Sequence, residues 1–266
     1  MDPYQKYYDA ALEVIPFGAQ NWTQDKFPHI PETTSSKWIK NKQPQRLRLV
    51  FFEKLFVDFY ENRSRLFNQD EEDYIKRLQL AANIISASMT EACGAATCDE
   101  YARWTMSELT LNGEHGTFAQ VFATASHPLL SEIRGMSHTC VGVMKTHQIS
   151  DIFIDTMNGS TIVGCDDYLR TNNRIIYGVA IEEASSLICR RDTSTIINLP
   201  LSPSEVSNLT MDLYKYREIF IDNKEYFMNY IKIDGTDDDD ILKCYDRFTM
   251  LLLYKIVKLY KSQLLQ

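Results

Sequence analysis

Thr97-Cys98-Asp99-Glu100-Tyr101-Ala102-Arg103-Trp104 is the segment from which the rest of this 266-residue chain is read. Thr97 with Glu100 three residues on has the form of a capping box: the hydroxyl takes one free backbone N–H, the carboxylate returns to another, and a helix begins. Cys98 then holds the first helical position, where unpaired N–H groups and the positive end of the helix dipole favour a thiolate. Ala102, Met106 and Leu109 share its side of the helix and give it an apolar seam. Two readings follow. One is a nucleophile held at a helix start, and the other is a buried, inert thiol, the commoner state of free cysteine. Asp99 and Glu100 oppose a thiolate unless both point outward, which their helical positions allow.

Before this helix, Ser86 to Thr97 is rich in Ala, Ser and Gly, a composition that lets backbone approach a bound group and leaves N–H donors for an oxyanion. Cys93 lies there as a competing nucleophile, without a helix start directly after it. After the helix, Asn112-Gly113 and Gly116 mark a loop and Phe118 to Ala123 a strand, with His115 and His127 as loop or surface histidines. Ser137 to Val143 and Asp151 to Asp155 then alternate as the two arms of an antiparallel hairpin do. A turn centred on Thr146-His147 places His138 opposite Asp155. On that register Val141, Val143, Ile152 and Ile154 share one face, and His138, Cys140, Phe153 and Asp155 the other. A carboxylate opposite an imidazole, with Cβ atoms about 5 Å apart, orients the ring toward an approaching thiol. His147 and Asp151 are the rival base and carboxylate.

Three short motifs carry a resemblance to a known family: Cys98-Asp99-Glu100-Tyr101-Ala102, His138-Thr139-Cys140-Val141-Gly142-Val143 and Ile154-Asp155-Thr156. In order and spacing they resemble the papain-like, transglutaminase-like cysteine enzyme core, and are similar to bacterial toxin and effector deamidases of the Pasteurella multocida toxin catalytic-domain type. The resemblance runs from Ile84 to Val163. It implies an α+β fold, in which the helix bearing the Cys packs on an antiparallel sheet, with helical N- and C-terminal flanks. It implies Cys98 as nucleophile, His138 as general base and Asp155 as the group that holds the ring. The chemistry implied is acyl transfer through a thioester. The leading expectation is a glutamine deamidase acting on a host protein as a bacterial effector delivered to the host cytoplasm. A cysteine protease or a transglutaminase uses the same triad, and a protein-binding module that keeps the fold without the chemistry is the competing class. Cys140, Gly142 and Met157 depart from the transglutaminase pattern at the acceptor-amine side.

Composition sets the outer limits. At 44% hydrophobic the chain buries a full core, and a net charge of −8 with no basic tract argues against nucleic acid as a partner. The N-terminus lacks the form of a signal peptide, and no apolar run reaches the length of a membrane span, so a soluble protein is expected. Six cysteines without scaffold density or zinc spacing suit a reducing compartment. The sequons at Asn21, Asn62, Asn158 and Asn208 read as chance. Neither Cys165-Asp166-Asp167 nor the acidic run Asp237 to Asp240 has the spacing of a metal site, so no metal or cofactor is expected.

The organisation expected is a wrapping segment and helix over 1–69, a catalytic core over 70–200 and a C-terminal helical pair over 201–266. Within it, a short helix lies near Pro3 to Val14, and an irregular segment anchored by Phe17, Trp22 and Phe27 follows. Arg46 to Phe67 reads as one helix with Leu49, Phe52, Phe56 and Phe59 or Tyr60 inward. The next helix starts at Asp70 to Asp73 with Ile75, Leu78, Ala82 and Ile85 inward. Past the hairpin, strands are expected at Thr161 to Val163, Arg174 to Ile181 and Thr193 to Leu199, a helix over Glu182 to Cys189, and a solvated turn at Arg190-Arg191-Asp192. Ser202-Pro203-Ser204-Glu205 opens a helix through Val206, Leu209, Leu213, Tyr216 and Ile219, and the four aspartates open the last one.

Overall fold

The computed structural model describes residues 2–18, 42–126, 137–145, 148–157, 159–163, 188–193, 195–232 and 237–264. The strands are β1 (Gly116–Ser126), β2 (Ser137–Lys145), β3 (Gln148–Asp155), β4 (Ser160–Val163), β5 (Ile188–Thr193) and β6 (Ile197–Leu199). They form one sheet in the order β4-β3-β2-β1-β5, with β6 also on β1, and each pair is antiparallel. Together with the helices this is a mixed helix-and-sheet fold, in keeping with an α+β chain. Alternation along the strands sorts the side chains by face. Phe118, Val141, Ile154, Ile197 and Leu199 join the helical core, whereas Val121, Cys140 and Phe153, on the opposite face, are buried apart from it.

The helices are α1 (Gln5–Val14), α2 (Lys42–Val50), α3 (Val57–Glu61), α4 (Arg63–Leu66), α5 (Tyr74–Cys93), α6 (Cys98–Leu111), α7 (Pro203–Asp222), α8 (Lys224–Ile231) and α9 (Asp238–Leu264), with a π-helical segment, Phe51–Phe56, joining α2 to α3. Among the described residues none is long and apolar enough to cross a membrane. α5 is the central element, buried almost without break from Arg77 to Cys93. Its Ala81, Ala82, Ser86, Ala87, Ser88 and Ala92 leave room for neighbouring helices to approach. The small residues from Ser86 therefore continue a helix and serve packing, where a close approach of backbone to a bound group was expected. Ile75 differs too: at 61% exposed it precedes the buried part of α5. The helix ends on Gly94, whose φ of 70° is the left-handed geometry of a helix C-terminus.

The Arg46 to Phe67 region is helical, but its inward face differs from the one read from spacing. Leu47, Phe51, Leu55 and Phe59 are buried, while Leu49 is exposed and Phe52 and Phe56 are half-buried. A repeat of four outruns an α-helical turn of 3.6 residues, and the wider π turn brings those four positions back into line. At the C-terminal side α7 starts as expected, with Pro203 at its first turn and Glu205 Oε2 accepting the Ser202 N–H at 2.7 Å. Ile219 is exposed rather than inward. Arg190, Arg191 and Asp192 are not a turn: they pair with Thr124, Ala123 and Phe122 in β5, which also takes in Cys189. The segment with Trp22 and Phe27, the strand at 174–181 and Cys165 lie outside the described residues.

Candidate functional site

The capping box closes as its sequence requires. Thr97 has extended backbone, Glu100 Oε2 accepts its N–H at 2.6 Å, and Cys98 is the first residue of α6. Cys98 is 5% exposed and is not in a disulfide. Thr105, nearly two turns further on the same side of α6, donates to the Tyr101 carbonyl and shares a 2.8 Å hydrogen bond with Thr156, just past β3. The Cys98 side of the helix therefore faces the sheet. The two acids beside Cys98 do not both point outward. Glu100 turns inward, where Arg48 Nη1 meets its Oε1 at 2.5 Å with both side chains buried. Burial pushes the Glu100 carboxyl up, against the pull of Arg48 and the Thr97 N–H. Asp99 is exposed and accepts from Thr139 Oγ1, which ties the first turn of α6 to β2.

The hairpin forms, with a register different from the expected one. Lys145 pairs with Gln148, as a turn at Thr146-His147 requires. An irregularity follows: β3 advances from 148 to 152 while β2 moves only from 145 to 143, after which Val143 pairs with Ile152, Gly142 with Phe153 and Val141 with Ile154. Extending that ladder brings Asp155 opposite Cys140, not His138. Two extra residues on one strand preserve the alternation, so the division of the hairpin into two faces stands. Ile154 joins the helical core and Thr156 bonds α6, and the carboxylate of Asp155, the last residue of β3, lies within electrostatic reach of Tyr8, whose ring belongs to the same core. Asp155 is 1% exposed and Cys140 is equally buried. His138 has the strand parity of Cys140 and its backbone pairs with Ala123 on β1. The His138 side chain, like His127, His147 and the Asp151 side chain, lies outside the described residues.

Of the three triad candidates, Cys98 lies at the start of α6 and Asp155 at the end of β3, both buried, and the hairpin register takes Asp155 two residues along β2 from the expected position opposite His138. Cys93, the rival thiol, faces Cys244 with sulfurs 3.5 Å apart, and that hydrogen bond, with burial, pushes the Cys93 thiol up, as suits a packing residue. His115 is exposed at a loop.

Reading the sequence missed the main polar cluster of the core. Lys255 Nζ, 2% exposed on α9, donates to Glu91 Oε1 at 2.7 Å and to Glu108 Oε1 at 2.8 Å. Trp104 Nε1 donates to the same Glu91 oxygen at 2.8 Å, and Lys258 reaches Glu108 at 3.0 Å. By sequence position alone Lys255, with Lys258 and Lys261 near the end of the last helix, reads as a partner of the helix dipole. The signal available was its seven-residue spacing from Phe248 and four from Leu259, which puts it on the buried stripe of α9. No protein family, curated protein or solved structure matches the chain.

Proposed function

We propose that the chain is a cysteine-dependent acyl-transfer enzyme whose reaction is deamidation of a glutamine side chain on a protein. The observation that carries this reading is Cys98 at the first position of α6, behind a closed capping box and on the sheet-facing side of the helix. The positive end of the α6 dipole favours negative charge on the sulfur and on an oxyanion formed beside it. In the proposed reaction the sulfur attacks the carboxamide carbon, and His138 takes the thiol proton and delivers it to the departing nitrogen. Ammonia leaves, and water then hydrolyses the thioester to the acid. Thr139, next to His138 in the chain, is bonded to Asp99 beside the nucleophile, so β2 lies against the first turn of α6. The full triad further requires Asp155 to hold the His138 ring, and the hairpin register, which brings Asp155 opposite Cys140, makes that the member to test first. A peptide bond in place of the carboxamide gives proteolysis, and an amine in place of water gives transamidation. The resemblance to toxin-like deamidases supports action on a protein inside a host cell.

A second reading, a protein-binding module with this fold and no chemistry, is favoured by two observations: Cys98 is almost sealed, and the hairpin register takes Asp155 away from the position opposite His138. Incubation of the full chain with a cytosolic protein extract separates them. The enzymatic reading expects ammonium release and the small mass gain of amide-to-acid conversion on one or more extract proteins, both absent with Cys98→Ala. Equal ammonium and unchanged masses for the two proteins would leave the binding reading.

A further inference from the structure

The last helix, α9, buries one side along Phe248, Leu252, Ile256 and Leu259 and turns the other outward. On that outer side Asp246, Met250, Leu253, Tyr254, Val257 and Lys261 follow one another at helical spacing and form a single stripe. Met250 and Tyr254 are 63% and 62% exposed, Val257 is exposed and Leu253 is half-buried. The one charged residue within this apolar stretch, Lys255, is turned into the core. We propose that this face of α9 pairs with the same face of a second copy of the chain, the two helices running antiparallel about a two-fold axis. Taken from its centre, between Leu253 and Tyr254, the stripe is its own complement. An antiparallel copy centred there brings Leu253 against Tyr254 of the second copy, Met250 against Val257 and Asp246 against Lys261, because the members of each pair lie equally far from the centre. The two-fold axis repeats each pair, so an apolar contact is closed at both ends by opposite charges. Asp246 Oδ1 already meets Lys224 Nζ at 2.9 Å at an exposed site, and a carboxylate accepts more than one donor. A parallel copy would set Asp246 against Asp246 and Lys261 against Lys261, and a partner helix of one charge sign would match one end and oppose the other. The neighbouring helix enlarges the surface. Tyr245 Oη donates to the Phe220 carbonyl and Arg217 Nε to the Thr249 carbonyl, so α7 runs antiparallel beside α9 and carries the exposed Tyr214 and Met211 alongside the middle of the stripe. With Tyr260, the exposed apolar side chains of this face amount to about 700 Å², beyond the roughly 300–600 Å² of the largest patch on a typical monomer and close to the roughly 800 Å² per partner of a stable interface.

Sedimentation equilibrium of the full chain over micromolar concentrations tests this. The expected result is a mass that rises with concentration from one chain to two. Tyr254→Glu sets a carboxylate from each copy at the centre of the contact and is expected to hold the mass at one chain throughout, with circular dichroism showing that the variant folds. Asp246→Lys and Lys261→Asp each make both end contacts like-charged, and each is expected to weaken the dimer about tenfold or more. The double exchange puts opposite charges back in place and is expected to recover most of that loss. A wild-type chain that stays at the mass of one chain overturns the proposal and leaves the face to a different partner. A dimer retained in full by folded Tyr254→Glu protein, or a double exchange no tighter than the single variants, would overturn it as well.

Discussion

Cys98 and Asp155 pose the question at the scale of single residues, because each is buried and each is held by a different part of the hairpin-and-helix unit. Cys98 was legible: a Thr-x-x-Glu pattern fixes a helix start, and the residue after the cap must occupy its first position. What the pattern did not reveal is which way Glu100 points, since that depends on Arg48, fifty-two residues earlier and on another helix. In the proposed reaction Cys98→Ala lowers kcat about 10⁴-fold or more, the scale of losing a nucleophile. Asp155→Asn provides the sharper contrast. A carboxylate that orients the catalytic ring is worth about 10⁴-fold in kcat, whereas the observed register, with Asp155 opposite Cys140 rather than His138, predicts a loss below about tenfold, with lowered stability instead. Steady-state kinetics and urea denaturation of the same variant read both. Gly94 was legible as a small residue near a helix end, but not the constraint upon it. An added Cβ would lie 3.0 Å from Phe17 Cδ2 at a φ of +70°, and Gly94→Ala is expected to cost about 1–2 kcal/mol in denaturant unfolding.

For the elements, the hairpin shows how far alternation carries. Its two faces were readable because the side-chain period of a strand is two, and a two-residue offset leaves that period intact. The offset itself was not readable. It arises between Lys145 and Val143, and nothing in the sequence there distinguishes a regular ladder from an irregular one. Nor does a strand pattern say which of its faces the Cys98 helix covers; Thr139, Thr105 and Thr156 settle that through contacts between separate elements. The far face has its own packing test. A Cβ on Gly142 would sit 2.8 Å from Val121 Cγ2, so Gly142→Ala is expected to cost about 1–3 kcal/mol. Val121→Ala in the same chain should recover part of that loss. Additive costs in the double variant would contradict the β1–β2 register. The π segment is the second lesson: buried positions spaced by four over Leu47, Phe51, Leu55 and Phe59 were visible, but a stripe containing Leu49 fitted the usual helical period better.

Across the whole molecule, Lys255 joins three helices, since Glu91 lies on α5, Glu108 on α6 and Lys255 on α9. Lys255→Met leaves the buried Glu91 carboxylate without its cation and Glu108 with Lys258 alone, and a loss of about 3–5 kcal/mol in urea unfolding is expected. The pH dependence follows from the signs. Burial opposes ionisation of Glu108, but Lys255 and Lys258 outweigh it and hold the carboxyl below its usual range. Its contribution is therefore present above the ordinary carboxyl value and lost as pH falls through the folded one. Burial also opposes charge on Lys255, yet Glu108 and Glu91 raise it, so its contribution is full below the ordinary lysine value and lost as pH rises through the folded one. Glu108→Gln should flatten the acid side of the stability profile measured by denaturation from pH 7 to pH 3. A profile unchanged by that substitution would contradict the network. Composition revealed that a core of this size exists, but not that a lysine would sit inside it.

The reactivity of Cys98 is the most direct test of the acyl-transfer account. Iodoacetamide labelling of the native full chain, followed peptide by peptide across a pH series, compares Cys98 with Cys93 and Cys244, the sulfur-paired cysteines of the core. The account predicts that Cys98 goes on reacting at pH values where an ordinary thiol, with a pKa of about 8.5, has largely stopped. It also predicts that His138→Ala removes this advantage while Cys93 and Cys244 stay protected. Labelling of Cys98 at the same slow rate as those two, appearing only as the protein unfolds, would contradict it.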